Sequence, residues 1–172
     1  DKLWSNYARA SMMPAELGRR FVLVDIATQT LSMYEDGKVA GTMKVVVGKP
    51  DDQTPVLVSA IDRVVLKPYW NVPPDLGRER YAARAMTGGK NYIVTRRFEP
   101  LSGWEDNARV LSYEEVDWKS VAAGSVSLRM RQRPGPGNGM GDIKFMFPNA
   151  FGVYQTVTAT NGSGERAWLA HV

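Results

Sequence analysis

The chain has 172 residues, carries a formal net charge of +4 at pH 7, and contains one His and no Cys. Its 44% hydrophobic and 23% charged residues are typical of a globular protein and exclude a disordered or collagen-like chain. The absence of Cys excludes disulfides, thiolate zinc sites and thiol nucleophiles within these residues, and a single His excludes nearly every multi-histidine metal centre.

No run of 18 apolar residues occurs, so the sequence predicts no transmembrane helix. The chain begins at Asp1, and no basic segment followed by an apolar one comes after it, so we interpret it as the mature or excised part of a protein. The excess of 22 Lys and Arg over 18 Asp and Glu is compatible with an anionic polymer as partner, but by itself mostly predicts solubility.

Residues 1–18 predict a helical lead-in, because apolar side chains recur at loosely helical spacing until Pro14 and Gly18 interrupt the pattern. A single domain is expected from residue 19 to residue 172. Its first half is expected to form an antiparallel sheet, with a hairpin turn at 35–38. The predicted strands of this half are 21–26, 31–34, 45–47 and a β-rich stretch at 56–66.

Two prolines, Pro73 and Pro74, end the strand pattern, because proline has no N–H to donate to a sheet. A helix is predicted over 75–86, closed by Gly88 and Gly89. Ser112 and Glu115 have the spacing of a capping box. We therefore predict a partly helical capping subdomain inserted at about 75–127.

The β pattern returns after this insertion, where Leu128, Met130 and Gln132 alternate with three arginines. The glycine- and proline-rich segment 134–139 predicts a loop, and it lacks the Lys and Ser or Thr of a phosphate-binding loop. Further strands are predicted at 143–147 and 151–154. The stretch 156–164 is rich in Thr, Asn, Ser and Gly and has little apolar content. The fold class is mainly β with an inserted, partly helical capping subdomain.

Several long segments together resemble a known family. They are 20–38, 45–50 with Thr54 and Pro55, 64–74 with its Pro68-Tyr69-Trp70-Asn71-Val72-Pro73-Pro74 run, 116–118, 129–138, and 141–149 with Lys144-Phe145-Met146-Phe147-Pro148. The sequence over about 20–154 resembles the YkuD-type L,D-transpeptidase catalytic domain, in the larger form related to YcbB.

This resemblance implies a β-rich catalytic domain in the periplasm or cell envelope that acts on peptidoglycan stem peptides in cell-wall remodelling. In the family, a Cys thiolate attacks a stem-peptide amide, forms a thioester and passes the acyl group to an amine of a neighbouring stem. Carbapenems acylate the same thiol. The resemblance implies no metal and no organic cofactor, and no nucleic-acid-binding signature occurs in the chain.

The sequence departs from the family pattern after Tyr154. Residues 155–159 stand where the family has Leu, His, Asp, Thr and Pro, and Ala170-His171-Val172 stands where Ser, His, Gly and Cys are expected. Because the acyl transfer needs a low-pKa thiolate beside a histidine, we expect these residues to be catalytically silent, and carbapenem binding only if another nucleophile substitutes. The alternatives are an altered C-terminus, a peptidoglycan-binding pseudoenzyme and an incomplete domain.

Candidate site residues follow from the resembling segments, and several have two interpretations. His171 is either the remnant of the catalytic base or a solvated terminal histidine. Arg129, Arg131 and Arg133 either clamp stem-peptide carboxylates or keep an edge strand soluble. Tyr69 and Trp70 either form the bottom of a substrate groove or pack between the sheet and the inserted subdomain. The remaining candidates for substrate contact are Asn71, Phe147, Asn149 and Tyr154. Asp51 and Asp52 predict a turn and not a metal site.

Overall fold

A computed structural model describes residues 2–11, 13–48, 51, 53–159 and 166–171, and describes the backbone alone at Arg9, 157–159 and 166–171. The chain forms two compact units. The first comprises residues 1–65 and 144–172 and is called the sheet unit; the second comprises residues 66–143 and is called the inserted unit. Asp52 and residues 160–164 of the stretch rich in Thr, Asn, Ser and Gly lie outside the described residues.

The helices are α1 (Lys2–Ser11), α2 (Pro74–Leu76), a π-helix (Gly77–Ala82), α3 (Ala83–Thr95), a 3₁₀-helix (Tyr113–Glu115) and α4 (Trp118–Ala123). The strands are β1 (Arg20–Asp25), β2 (Thr30–Glu35), β3 (Lys38–Val46), β4 (Arg63–Leu66), β5 (Trp70–Val72), β6 (Phe98–Leu101), β7 (Arg129–Gln132), β8 (Ile143–Met146), β9 (Tyr154–Ala159) and β10 (Arg166–His171). The predicted fold class, mainly β with an inserted helical part, is confirmed.

Seven strands form one sheet in the order β1-β2-β3-β10-β9-β8-β4. β1, β2 and β3 are joined as successive antiparallel hairpins, whereas β10 pairs parallel with β3 and antiparallel with β9. The predicted turn after β2 is confirmed: Asp36 and Gly37 have φ angles of 48° and 73°. Two positive φ angles in a two-residue loop define a type I′ turn, whose twist matches that of the paired strands.

Two sequence predictions for the sheet unit are wrong. Only Arg63–Leu66 of the predicted stretch 56–66 forms a strand, and Val56 and Val58 remain 64% and 56% exposed. Their alternation does not correspond to a buried face, and a strand needs a neighbour to pair with. The strand predicted at 151–154 is the second: β9 begins only at Tyr154, and it contains Thr156, which is fully buried in a segment for which no strand was predicted. Pairing with β10 overrides the low apolar content of that segment.

The inserted unit contains a three-stranded sheet in the order β5-β7-β6. The predicted alternation of β7 is confirmed, because Met130 and Gln132 are buried while Arg129 and Arg131 are half-buried on the other face. Against this sheet pack the aromatic and aliphatic side chains of the unit's core. They include Trp70, Val72, Tyr81, Ala85, Ile93, Phe98, Leu101, Val116, Trp118, Val121, Met130 and Met140.

The predicted helix after Pro74 is longer than expected. Helical backbone runs from Pro74 to Thr95 and is interrupted at Gly89, where φ is 61° and ψ is −159°. Gly89 therefore breaks the helix as predicted, but a second helical segment follows it. The predicted capping box is confirmed: Glu115 accepts a hydrogen bond from the Ser112 backbone N–H, and both halves of the motif are present.

Candidate functional site

Arg129 and Arg131 lie on β7, the middle strand of the inserted unit's sheet, and Arg133 directly follows it, so the interpretation of a solvated edge strand is wrong. Arg131 of β7 lies opposite Asn71 of β5 on one side and opposite Glu99 of β6 on the other. A residue in this position has a partner on both sides and shares its sheet face with them. The sheet therefore places Asn71, Arg131 and Glu99 in one row.

Arg131 is held by two neighbours. Its Nε donates to Glu99 Oε2 at 2.8 Å, and its guanidinium lies 4.5 Å from the centre of the Tyr69 ring. The Glu99 side chain is only 16% exposed, which makes this ion pair less screened by water than a fully exposed one. Arg131 therefore sits in a fixed orientation between an aromatic face and a carboxylate.

The other two arginines are arranged differently. Arg129 Nη1 donates to the backbone oxygens of Trp104 and Glu105 at 2.9 and 3.0 Å, so it fixes the 102–109 loop. Arg133 Nε is 3.6 Å from Glu99 Oε1, and its side chain is 51% exposed. Of the three, Arg133 is the one whose guanidinium is most accessible to a ligand.

Tyr69 and Trp70 have different environments. Tyr69 is 44% exposed and covers Arg131, whereas Trp70 is 8% exposed in the core of the inserted unit. The Trp70 ring meets Tyr81 edge-on at 5.7 Å and Phe98 at 6.5 Å between centroids. Of the two interpretations, the structure shows packing for Trp70; a substrate contact of Tyr69 stays a prediction.

The loop that follows β7 lies over Trp70 and is fixed by two buried amides. The Gln132 amide nitrogen donates to the Arg96 and Gly137 carbonyls, and its oxygen accepts from Gly139 N. Asn138 bonds the carbonyls of Gln132 and Arg133 and accepts from Met140 N. Because every polar atom of these two amide groups has a partner, the loop is locally rigid.

In the sheet unit, Asn149 shapes the turn that precedes β9. Its amide donates to the carbonyls of Phe147 and Val153 and accepts from the N–H groups of Phe151 and Val153, all between 2.8 and 3.0 Å. These four bonds use the full donor capacity and both lone pairs of the side chain. Asn149 therefore positions the start of β9, and a substrate contact of its amide stays an untested prediction.

Sequence reasoning missed Lys144. Its Nζ lies 3.7 Å from the centre of the Tyr154 ring, across the neighbouring strands β8 and β9. Burial lowers the pKa of Lys144 and raises the pKa of Tyr154 to about 12, so the ring is neutral at pH 7 and presents its face to a cation. The available signal was a single lysine inside the apolar run 143–147.

The backbone of His171 lies directly opposite Tyr154 in the β9/β10 pair. β10 thus brings the backbone of His171 beside Tyr154 of β9, which is another candidate of this unit. The His171 side chain lies outside the described part. Among the described residues, no group of three or more His, Asp or Glu side chains is placed to hold a metal ion. The helices in the described ranges include none with the length and hydropathy needed to cross a membrane.

Comparison with known proteins gives two matches. The model of the L,D-transpeptidase catalytic domain family, YkuD, matches residues 19–167. Over 145 residues, the chain is 29% identical to a Haemophilus influenzae protein described as "Putative L,D-transpeptidase". That alignment covers 84% of this chain and 28% of the Haemophilus protein, so the chain spans little more than a quarter of that relative.

Proposed function

Because the chain belongs to the L,D-transpeptidase catalytic domain family, we propose that it recognises peptidoglycan stem peptides in the cell envelope. The family match over residues 19–167 carries this proposal. Members of the family act on stem peptides in peptidoglycan cross-linking, and the partner proposed for this chain is the same polymer. The YcbB-like larger form is part of the proposal, supported by the compact inserted unit and by the much longer Haemophilus relative.

The 172 residues are proposed to bind this substrate without transferring its acyl group. The family reaction needs a thiolate to attack the amide carbon, and the chain has no Cys. His171 is then the remnant of a base without a nucleophile to deprotonate. Residues 155–159 lie inside the matched range but differ from the family pattern, which supports a pseudoenzyme or an altered C-terminal segment.

Recognition is proposed to use the row of polar side chains on the inserted unit. Tyr69, Asn71 and Arg131 are fixed in place, and Glu99 holds both Arg131 and the more exposed Arg133. A stem-peptide carboxylate would bind Arg133 through two parallel N–H···O bonds, since guanidinium and carboxylate groups match in shape. Glu99 would keep Arg131 from turning toward the same carboxylate.

The proposal has two tests. Intact mass measurement after incubation with a carbapenem should show no covalent adduct; an adduct would show that another nucleophile is active and would contradict the silent assignment. In a pull-down on purified sacculi, the wild type should be retained, and Arg133→Gln should lower the retained fraction severalfold. Arg63→Gln removes an exposed arginine of β4 as the matched control. Equal retention of the two variants would reject the role of Arg133.

A further inference from the structure

A second basic surface lies on the helical part of the inserted unit, apart from Arg131 and Arg133. Arg80 projects from the π-helix, Arg84 from the first turn of α3, and Arg96 follows the end of α3. All three residues are exposed, whereas the neighbouring Tyr81 and Ala85 are buried. We call these three residues the arginine face.

The arginine face lies beside Tyr81 and Tyr92: Arg84 lines one concavity with Tyr92, and the Arg96 backbone N–H donates to the Tyr92 carbonyl at 3.0 Å. The Arg80 Cζ atom lies 5.8 Å from the centre of the Tyr81 ring. Burial raises the pKa of Tyr81, and the positive charges of Arg80, Arg84 and Arg96 all oppose that rise.

The arginine face has no internal counter-ion. In the part of the chain described by the structure, Arg80, Arg84 and Arg96 form no salt bridge, whereas Arg78 pairs with Glu79 at 2.6 Å. Nearby Lys90 is also paired, with Glu114 at 3.3 Å. Arg80 and Arg84 are like charges four residues apart along the helical backbone, a spacing that is unfavourable, so an anionic ligand bound here would relieve their repulsion.

A shallow concavity adjoins Arg84 and is lined by Ala83, Thr87, Gly88 and Tyr92. Gly88 keeps the concavity open beside Tyr92, because a Cβ at this position would lie 2.7 Å from the Tyr92 Cβ. Ala83 and Thr87 are exposed beside the arginines and are small. A face that enters a lipid bilayer needs large apolar side chains between its basic residues, and these positions provide none.

We propose that the arginine face binds an acidic peptide, the stem peptide of a second peptidoglycan strand, through its carboxylates. Planar guanidinium groups match carboxylates better than lysine ammonium groups do, and the three groups are spaced along an extended surface that suits a ligand with several carboxylates. This inference rests on the proposed function, because it takes the same polymer as partner. It adds a second contact that would bring a neighbouring stem to the domain.

The test measures binding of a synthetic stem tetrapeptide with free carboxylates, using fluorescence polarisation at two salt concentrations. The triple variant Arg80→Gln, Arg84→Gln, Arg96→Gln should bind about tenfold more weakly, the result of losing three exposed ion pairs of ordinary strength. Its remaining affinity should depend less on salt. The analogue with amidated carboxylates should bind the wild type at least as weakly as the free peptide binds the triple variant, because amidation also removes the carboxylate proposed to contact Arg133.

The control is Arg19→Gln, Arg20→Gln, Arg63→Gln, which removes the same number of positive charges from exposed positions in the sheet unit. Equal loss of affinity in both triple variants would overturn the inference, since it would show an effect of net charge alone. Equal binding of the amidated and the free peptide to the wild type would also overturn the inference. Binding of the arginine face to anionic phospholipid vesicles and not to the peptide would overturn it as well. Circular dichroism and thermal melting establish that both variants are folded.

The inference and the proposed function can fail separately. If the wild type and the triple variant are retained equally on sacculi and bind the peptide equally, the arginine face has no role while the proposed function stands. If the wild type is not retained on sacculi and does not bind the peptide, the proposed function fails, and the arginine-face inference fails with it.

Discussion

At the scale of single residues, two glycines of the inserted unit differ in the space available for a side chain. Gly139 lies against the Trp70 ring, and a Cβ at this position would be 2.8 Å from its nearest ring atom. Gly77 has helical backbone angles of −54° and −51°, and a Cβ there would contact nothing within 4 Å. A methyl group is therefore incompatible with the first position and has space at the second.

Gly139→Ala should lower the free energy of unfolding by about 1–3 kcal/mol, because the buried indole must shift to admit the methyl group. Gly77→Ala should raise it by up to about 1 kcal/mol, because alanine loses less backbone entropy than glycine on entering a helix. Urea unfolding of both variants measures the difference. A neutral Gly139→Ala would contradict the close contact with Trp70.

Single residues also show where sequence reasoning stops. The alternation of Met130 and Gln132 with the arginines was readable because a strand has a period of two residues. The partner of Arg131 could not be predicted, because Glu99 lies 32 residues earlier in the chain and contacts Arg131 only through the order of strands in the sheet. The contact of Lys144 with Tyr154 was missed for the same reason.

At the scale of elements, the capping box before α4 is a local motif with a measurable pH dependence. Hydrogen bonding to Arg109, followed by the Ser112 backbone, lowers the pKa of Glu115 to about 2. The Arg109 Nη2 to Glu115 Oε1 distance is 2.6 Å. Because the pKa is lower in the folded state, ionised Glu115 favours folding above its ordinary pKa near 4.5, and this contribution is lost as the pH falls toward 2.

Glu115→Gln should therefore be less stable than the wild type at pH 7, and the difference should shrink between pH 4.5 and pH 2. Glutamine can still accept a hydrogen bond from the Ser112 backbone N–H, but it carries no negative charge to pair with Arg109. Urea unfolding at several pH values measures this difference. Glu16→Gln, which removes an exposed carboxylate of the sheet unit, is the control. A difference that stays constant down to pH 2 would contradict the assigned pKa.

Elements were predictable where their signals are local. The Asp36-Gly37 turn, the break at Gly89 and the capping box at Ser112 each depend on residues within a few positions of one another. The strand predicted at 56–62 was wrong and β9 was not predicted beyond Tyr154, because pairing partners decide strands. Thr156 lies on β9, which is paired between β8 and β10, and is fully buried.

At the scale of the whole molecule, the C-terminal strand β10 completes the seven-stranded sheet. β10 lies between β3 and β9 and is hydrogen-bonded to both. No apolar periodicity in the sequence is strong enough to predict β10, yet without β10 the strands β1–β3 would have no ladder to β9. The C-terminal segment therefore supports the fold through its backbone pairing.

Removal of residues 160–172 should expose the backbone edges of β3 and β9 that β10 now covers. Hydrogen exchange should then become faster in β3 and β9, while the β5-β7-β6 sheet, which has no hydrogen bond to β10, keeps its protection. Removal of residues 1–11 is the control, because α1 pairs with no strand and should leave β3 and β9 protected. Unchanged exchange in β3 and β9 after the C-terminal deletion would contradict the central position of β10. Faster exchange confined to those strands would show that β10 holds the sheet together through its backbone pairing with β3 and β9.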